Sequence, residues 1–452
     1  MRLRVGTTID PKRMVGERWF AAKDRAVTAV TVEERFAMGR GGLAILRADV
    51  SRGRSLRYTL PLDDDPSTWL GLADLAQRGG SISGDAGGVL VGMPPARPAE
   101  GTGAGLGGDA GAGGPTARPL GVDQSNTSWV IGERSVMKLY RRLESGPNPE
   151  VELAAALVDA PIPAFHGAIR YRGAAWGPAN VAIVQQLAQG AGDEFERLAE
   201  QLAAWLRAGC PQSGLHLPLA DLADAGRAVA ELHAALLRLE GRHLRPRPAG
   251  AADSARWSAR ARYAATAAIR VTAPADPALA AELRAIRPAI ESALLPLAVV
   301  APGSTVARIH GDLSVAQLIR DGARFLIVDL EGEPTRPVAE RRRRDTLVRD
   351  LASLLRSIDH ITRSAIRRSG VHDQVQAIDG WLDAARHTFL DAYRRGLAAE
   401  GVDVAAQPRL LHALEVEKEL YEFVYAAMYL PPWRYAPAAG LRWLLQRGAM
   451  EG

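Results

Sequence analysis

Two periodicities divide the chain. Residues 27–36, 43–50 and 54–62 alternate apolar and polar positions with β-branched residues on the apolar side, which predicts three strands. A short helix is expected over 68–76, and a weaker strand, GVLVGM, within 84–93. Trp19 and Phe20, in ERWFAAKDR, read as a packing anchor on a short helix. Residues 122–140 read as strand, turn, strand, with Gly132-Glu133 at the turn. Residues 161–187 repeat that pattern and end in the strongly apolar NVAIVQQLA. From 193 to 299 the period changes to 3.6, and successive amphipathic helices are expected. Further helices follow Arg349-Asp350 and occupy 375–400 and 409–429.

Residues 94–119 fit neither period. They are Gly, Ala and Pro with few large apolar side chains, too few to offset the entropy of ordering, so a flexible linker or insertion is expected. The stretch lacks a G-K-S/T ending and is not a P-loop. The domain boundaries expected from these shifts are 1–93, 94–119, 120–190 and 191–452.

Residues 308–337 break the helical region with two short apolar runs, each followed by a carboxylate. VARI precedes His310-Gly311-Asp312, and RFLIV precedes Asp329; Gln317 lies five residues after Asp312. A buried strand that stops at an acidic residue commonly ends at a site. Asp312, Gln317 and Asp329 could meet there as a base and two oxygen ligands for a hard cation, the equipment of phosphoryl transfer.

Composition narrows the setting. The chain has 452 residues, 47% of them hydrophobic, enough for a large core without disulfides. Its one cysteine, Cys210, can form neither an internal bridge nor a thiolate cluster, so a reducing cytoplasm is expected. The N-terminal MRLRVGTTIDPKRM has no apolar h-region and no run of 18 apolar residues occurs, so neither a signal peptide nor a membrane span is expected. A formal charge of +5 is small for this length, and Arg341–Arg344 is the one strong basic run. That run reads as solvated or phosphate-facing rather than as a nucleic-acid surface, since no base-reading motif accompanies it.

The pattern H-G-D-x(4)-Q, a short hairpin, then V-D-L-E resembles the catalytic loop and metal-binding segment of the aminoglycoside-phosphotransferase-like kinases. The longer run, HGDL…Q…DLEGEP…RP..ERR…RD, resembles the maltokinase branch and its actinobacterial glucosamine kinase relatives. Those enzymes usually have His after HGDL, where this chain has Ser314, and D-F in the metal strand, where it has Asp329-Leu330. The resemblance implies an α+β, eukaryotic-protein-kinase-like bilobal fold. Residues 1–93 would be an N-terminal cap, 120–190 the nucleotide-binding N-lobe, and 191–452 an extended helical C-lobe.

It also implies roles. ATP phosphates would lie under the tip Gln124, Ser125, Asn126, Thr127 and Ser128, the QSNTS loop of related sugar kinases. Lys138 would neutralise phosphates and pair with a helix glutamate, with Glu152 the first candidate and Glu150 the alternative; otherwise it snorkels at a strand edge. Gln185 and Leu187 would lead into the hinge that meets the adenine edge. Gln317 and Asp329 would hold Mg²⁺, while Glu331 either assists or shapes the loop. Asp312 would be the catalytic base, His310 would hold its loop, and Asp350 would support that loop from behind.

The acceptor would be a small-molecule sugar. On the last helix Glu415, Glu419 and Glu422 fall near one face, with Trp433 beyond. Beside aromatics such a face could grip a sugar or an ammonium group; the plain alternative is a solvated acidic face. DLEGEPTRPVAERR is similar to the maltokinases, which phosphorylate maltose at its anomeric hydroxyl. RSIDHITR and EVEKELYEFVYAAMYLPPWRYAP are more similar to the glucosamine kinases, which phosphorylate the 6-hydroxyl. Glucosamine is the first expectation, then maltose, then another amino sugar or aminoglycoside. A kinase-like scaffold without chemistry is the reading from another class, and the intact Lys138, Asp312, Gln317 and Asp329 argue against it. A monomer or weak dimer is expected, with a partner enzyme at the cap if the chain is maltokinase-like.

Overall fold

A computed structural model describes residues 4–15, 17, 19–20, 26–39, 41–51, 53–96, 116–121, 126–174, 176–190, 193–211, 217–402 and 407–448. Most of the expected linker, Gln124, Ser125 and much of the expected helix at 17–25 lie outside the described residues. The chain divides into two compact units. The first comprises Met1–Val158, Pro163–Ala188 and Pro334–Arg342; the second comprises Asp159–Ile162, Gln189–Glu333 and Arg343–Gly452.

The first unit is built on two antiparallel sheets. One runs in the order Thr8–Ile9, Val27–Met38, Gly41–Val50, Arg54–Pro61, Arg142–Leu143. Its alternation buries Val30, Val32 and Phe36 while intervening polar residues stay partly exposed. Phe20 packs here, stacked on Tyr58 at 4.9 Å. The other sheet runs Ser81–Ser83, Val89–Met93, Phe165–Arg172, Ala179–Gln186, Ser135–Leu139, Thr127–Ile131, Ala117–Pro119. Strands from the expected cap and from the expected N-lobe therefore share one sheet. Pro119, which lacks a ladder donor, sits on its edge strand.

Helix α1 (Pro66–Arg78) starts where Asp65 accepts the Ser67 N–H and Pro66 occupies the first turn. It lies on the seven-stranded sheet through Trp69, stacked on Trp129 with ring centroids 4.7 Å apart. A Cβ at Gly92 would come within 1.9 Å of the Leu75 carbonyl, so this close helix-on-strand approach requires glycine. Glu34 is buried, and accepts the N–H groups of Ala86 (2.6 Å) and Gly88 (2.7 Å). Helix α2 (Pro149–Ala156) is capped by Asn148 and carries two glutamates in its first turn.

The second unit is mainly helical: α3 (Glu194–Arg207), α4 (Leu217–Leu237), α5 (Ala251–Thr272), α6 (Val348–Ser369), α7 (Val375–Ala399), α8 (Pro408–Tyr429) and α9 (Tyr435–Gly448), with shorter turns between. Helix α9, which follows Pro431 and Pro432, was not among the expected helices. Pro437 falls in its first turn, where the absent N–H costs nothing. Between α5 and α6 the chain forms the hairpin Leu318–Asp321 with Arg324–Ile327, turning at Gly322 with φ 62°. That hairpin separates Asp312 from Asp329. Among the described residues no helix is long and apolar enough to cross a membrane.

Candidate active site

In the first unit Lys138 sits in mid-strand, opposite Ser128 on one side and Ile183 on the other. Ser128 thus becomes a cross-strand neighbour of the lysine, and Thr127 lies opposite Leu139. Asn126 accepts the Arg141 N–H (3.2 Å), and the Arg141 guanidinium donates to the Thr127 hydroxyl (2.7 Å), which fixes the described end of the tip. Lys138 keeps 14% of its side chain exposed and donates to Glu150 at 3.0 Å. The Tyr140 hydroxyl donates to the same carboxylate at 2.8 Å. The partner is therefore Glu150, the alternative, and not Glu152. Glu152 lies half a turn further round α2 and takes a bidentate bond from Arg342, at 2.7 and 3.1 Å. Arg341 similarly binds Glu144 at 2.5 Å, so these two members of the basic run are ion-paired, not solvated. Gln185 is buried in its strand, between Val136 and Phe165. The Leu187 N–H donates to the Arg134 carbonyl at 2.8 Å.

In the second unit one buried carboxylate holds the loop His310–Asp312. Asp350, on the first turn of α6, accepts the N–H groups of His310 and Gly311, both at 2.8 Å, and faces His233 Nε2 at 3.4 Å. Burial works against its charge, but the hydrogen bond and charge of His233, with His310 and the Gly311 N–H, outweigh it and hold the group below its ordinary value. His310 is buried with both ring nitrogens engaged. Nε2 donates to the Val328 carbonyl at 2.9 Å, and Nδ1 accepts the Asp312 N–H at 3.3 Å. That occupancy makes it a brace, with no lone pair left for a substrate proton. The Val328 N–H in turn donates to the Gln317 carbonyl at 3.0 Å. These bonds draw the strand end carrying Asp329 to the loop carrying Asp312. A Cβ at Gly311 (φ 84°) would lie 3.4 Å from the Gly332 Cα, so the two segments run backbone to backbone.

Asp329 is exposed and held at φ 65°, a left-handed conformation that L residues adopt at a cost of about 1–3 kcal/mol. Gln317 closes a one-turn 3₁₀ helix; its Oε1 accepts both the N–H (2.8 Å) and the hydroxyl of Ser314. Ser314 is thus the N-cap of that turn.

Asp312 keeps 32% of its side chain exposed. The Lys418 ammonium contacts it at 3.0 Å, Glu422 at 3.1 Å and Glu333 at 3.5 Å, and lies over the Tyr421 ring at 4.6 Å. Burial raises the Asp312 carboxyl above its ordinary value; Lys418 pulls it down, while Glu333 and Glu422 push it up. Burial also disfavours the Lys418 charge, but Asp312, Glu422 and Glu333 together keep it protonated well above its ordinary value. Lys418 and Glu333 escaped the sequence reading. The available signal was the i, i+4 spacing of Lys418 and Glu422, which sets both on one face of α8.

Glu415 and Glu419 do not join that group. Glu415 is 1% exposed and is bound by Arg356 (2.7 and 3.0 Å) and by Arg386 (2.6 and 3.0 Å). Burial alone would raise it, yet the two guanidiniums lower it to about 2. Glu419 accepts from His360 at 3.0 Å and lies 3.4 Å from Arg356. Both belong to an internal ion-pair cage between α6, α7 and α8, which leaves neither free for a sugar. Trp433 is half-buried and meets the rings of His360, Phe195 and Tyr435 at 5.5–5.9 Å.

Comparison with known proteins follows the same lines. No family model matches the chain. It is 32% identical over 340 residues to a glucosamine kinase of Streptacidiphilus jiangxiensis, covering 73% of each chain. It is also 32% identical over 338 residues to the glucosamine kinase of Mycolicibacterium smegmatis, covering 73% of this chain and 80% of that one. Among solved structures it superposes on a glucosamine kinase in complex with glucosamine, ADP and inorganic phosphate, with a TM-score of 0.72 and 26% identity, covering 93% of this chain and 96% of that one. Fold and sequence thus define a phosphotransferase of kinase-like fold. Within that class, the chain belongs to the glucosamine kinase family.

Proposed function

We propose that this protein transfers the γ-phosphoryl group of ATP to the 6-hydroxyl of glucosamine. The observation that carries the choice of sugar is the charge around Asp312: three carboxylates, Asp312, Glu333 and Glu422, face one ammonium, Lys418. Carboxylates grouped in this way suit an acceptor that brings an ammonium of its own. The named relatives support the same reading.

The residues fit Mg²⁺ and ATP. Asp329 and Glu331 are hard oxygen donors, Asp329 is exposed in a constrained backbone, and Gln317 can add its oxygen once released from Ser314. Lys138, steadied by Glu150, is the cation for the phosphates, with Asn126, Thr127 and Ser128 at the tip and Gln185 to Leu187 at the adenine side. Bound Mg²⁺ would supply charge neutralisation between the phosphates. Asp312 accepts a hydrogen bond from the attacking hydroxyl. As the new oxygen–phosphorus bond forms and the bond to the ADP oxygen breaks, the hydroxyl proton passes to Asp312. His310 and Asp350 keep that carboxylate in place. In this reading residues 120–190 serve the nucleotide, 191–452 the acceptor, 1–93 form the cap, 94–119 link them, and the enzyme works in the cytoplasm.

Coupled ADP release with Mg-ATP, measured against glucosamine, glucose, maltose and an aminoglycoside, tests this. Preferential turnover of glucosamine is expected. Preferential turnover of maltose would sink the proposal and make the EGEP-to-ERR segment the better guide to the acceptor.

A further inference from the structure

The second unit contains a cavity of about 470 Å³ that none of the catalytic side chains lines. It lies among α6, α7, α8 and α9. Its walls include Leu351, Leu390, Leu411 and Trp443, an apolar slot of the size that takes a small ligand. Three guanidiniums also line it. Arg386 is satisfied by Glu415, and Arg447 lies over the Trp443 ring at 4.4 Å and is paired with Asp383. Arg394 is exposed at the rim and has no carboxylate partner among the described residues. With Arg386 and Arg447 paired, the charge left over at the slot is that of Arg394, above an apolar floor.

The cavity backs onto the support of the catalytic loop. Tyr393 lines it, and the Tyr393 hydroxyl bonds His233 Nδ1 at 2.9 Å. His233 Nε2 faces Asp350 at 3.4 Å, and Asp350 holds the N–H groups of His310 and Gly311. Leu347, Val348 and Leu351, on either side of Asp350 in sequence, are wall residues. A buried chain of hydrogen bonds therefore runs from the cavity wall to the residues beside the base.

We propose that this cavity is a binding site for a small anionic amphiphile, a flat apolar body bearing one carboxylate or sulfonate, and that its occupancy alters turnover through Tyr393. The apolar body packs against Leu390, Leu411 and Trp443, and the anion meets Arg394. Occupancy acts on the catalytic loop to the extent that it favours one placement of Tyr393 over another.

The probe is 8-anilinonaphthalene-1-sulfonate, titrated by fluorescence into the full chain saturated with ADP. Saturable one-to-one binding is expected. Arg394→Glu should raise Kd about tenfold or more, the loss of one charge-assisted contact, and Arg394→Lys should restore most of it. Leu390→Trp should fill the slot and abolish binding. Arg394 is exposed, so its variants should melt with the wild type, which separates lost binding from lost folding. Saturating dye should change kcat at least twofold for whichever sugar is turned over, and leave Arg394→Glu unchanged. Absence of saturable binding with ADP present would overturn the site, as would binding indifferent to both Arg394→Glu and Leu390→Trp. An unchanged kcat at saturation would overturn the link through Tyr393.

Discussion

Helix α8 offers the same residue types to two neighbours, with different outcomes. Toward α6 and α7, Glu415 and Glu419 are fully buried and meet Arg356, Arg386 and His360. Toward the catalytic loop, Lys418 and Glu422 keep 12% and 15% of their side chains exposed and face Asp312 and Glu333. On the first side each carboxylate has cationic partners, and burial has been matched by counter-charge. On the second, one ammonium is shared by Asp312, Glu333 and Glu422, and Asp312 keeps 32% of its side chain exposed. A completed, buried ion pair is a structural device; a carboxylate that stays accessible is available to a substrate.

Substitutions can break that contrast. The largest effect is expected from Asp312→Asn. Loss of a general base should lower kcat by about 10²–10⁴-fold while ATP affinity, read by isothermal titration, stays near wild type. Turnover close to wild type would remove Asp312 from its role. On the buried side, Glu415→Ala removes the bidentate partner of Arg386 and the nearest carboxylate to Arg356, and should cost about 3–5 kcal/mol of stability in urea unfolding. A change as small as that of a surface substitution would mean the cage is hydrated and contributes little.

Lys418→Met sharpens the comparison. It removes the cation that pulls the Asp312 carboxyl down, so the acidic limb of the kcat/KM profile should move to higher pH. A limb that stays in place would show that Lys418 does not tune the base. The smallest effect concerns His360. Burial lowers its affinity for a proton, but Glu419 reverses this and raises it above the ordinary histidine value. Its contribution to stability is therefore complete below the unfolded-state pKa of about 6.5 and is lost as pH rises through the higher folded value. Stability measured across that window should decline with rising pH in the wild type, and His360→Gln should flatten the decline.

Much of the fold was legible because it is written in local period. The strands at 27–38 and 41–50, and the helices following Arg349 and Pro408, differ from expectation mainly at their ends. The loop motif was also open to reading, since Asp312, Gln317 and Asp329 lie close in the chain and are linked through His310 and Val328. Pairing choices were harder. Glu150 and Glu152 are two residues apart on one helix, and only the neighbours of α2 decide that the first meets Lys138 and the second Arg342. Glu415, Glu419 and Glu422 share a face to within a broad arc, and that arc is wide enough to touch two different partners.

The sequence by itself determined the family and the element types and put Asp312 forward as a candidate base, because these depend on residue type and near spacing. The tertiary structure alone decided which carboxylates are neutralised and which remain available, which lysine stands beside Asp312, and that a cavity lies behind Asp350. Electrostatic pairing falls steeply with distance and depends on burial, and both are set by elements that are remote in the chain.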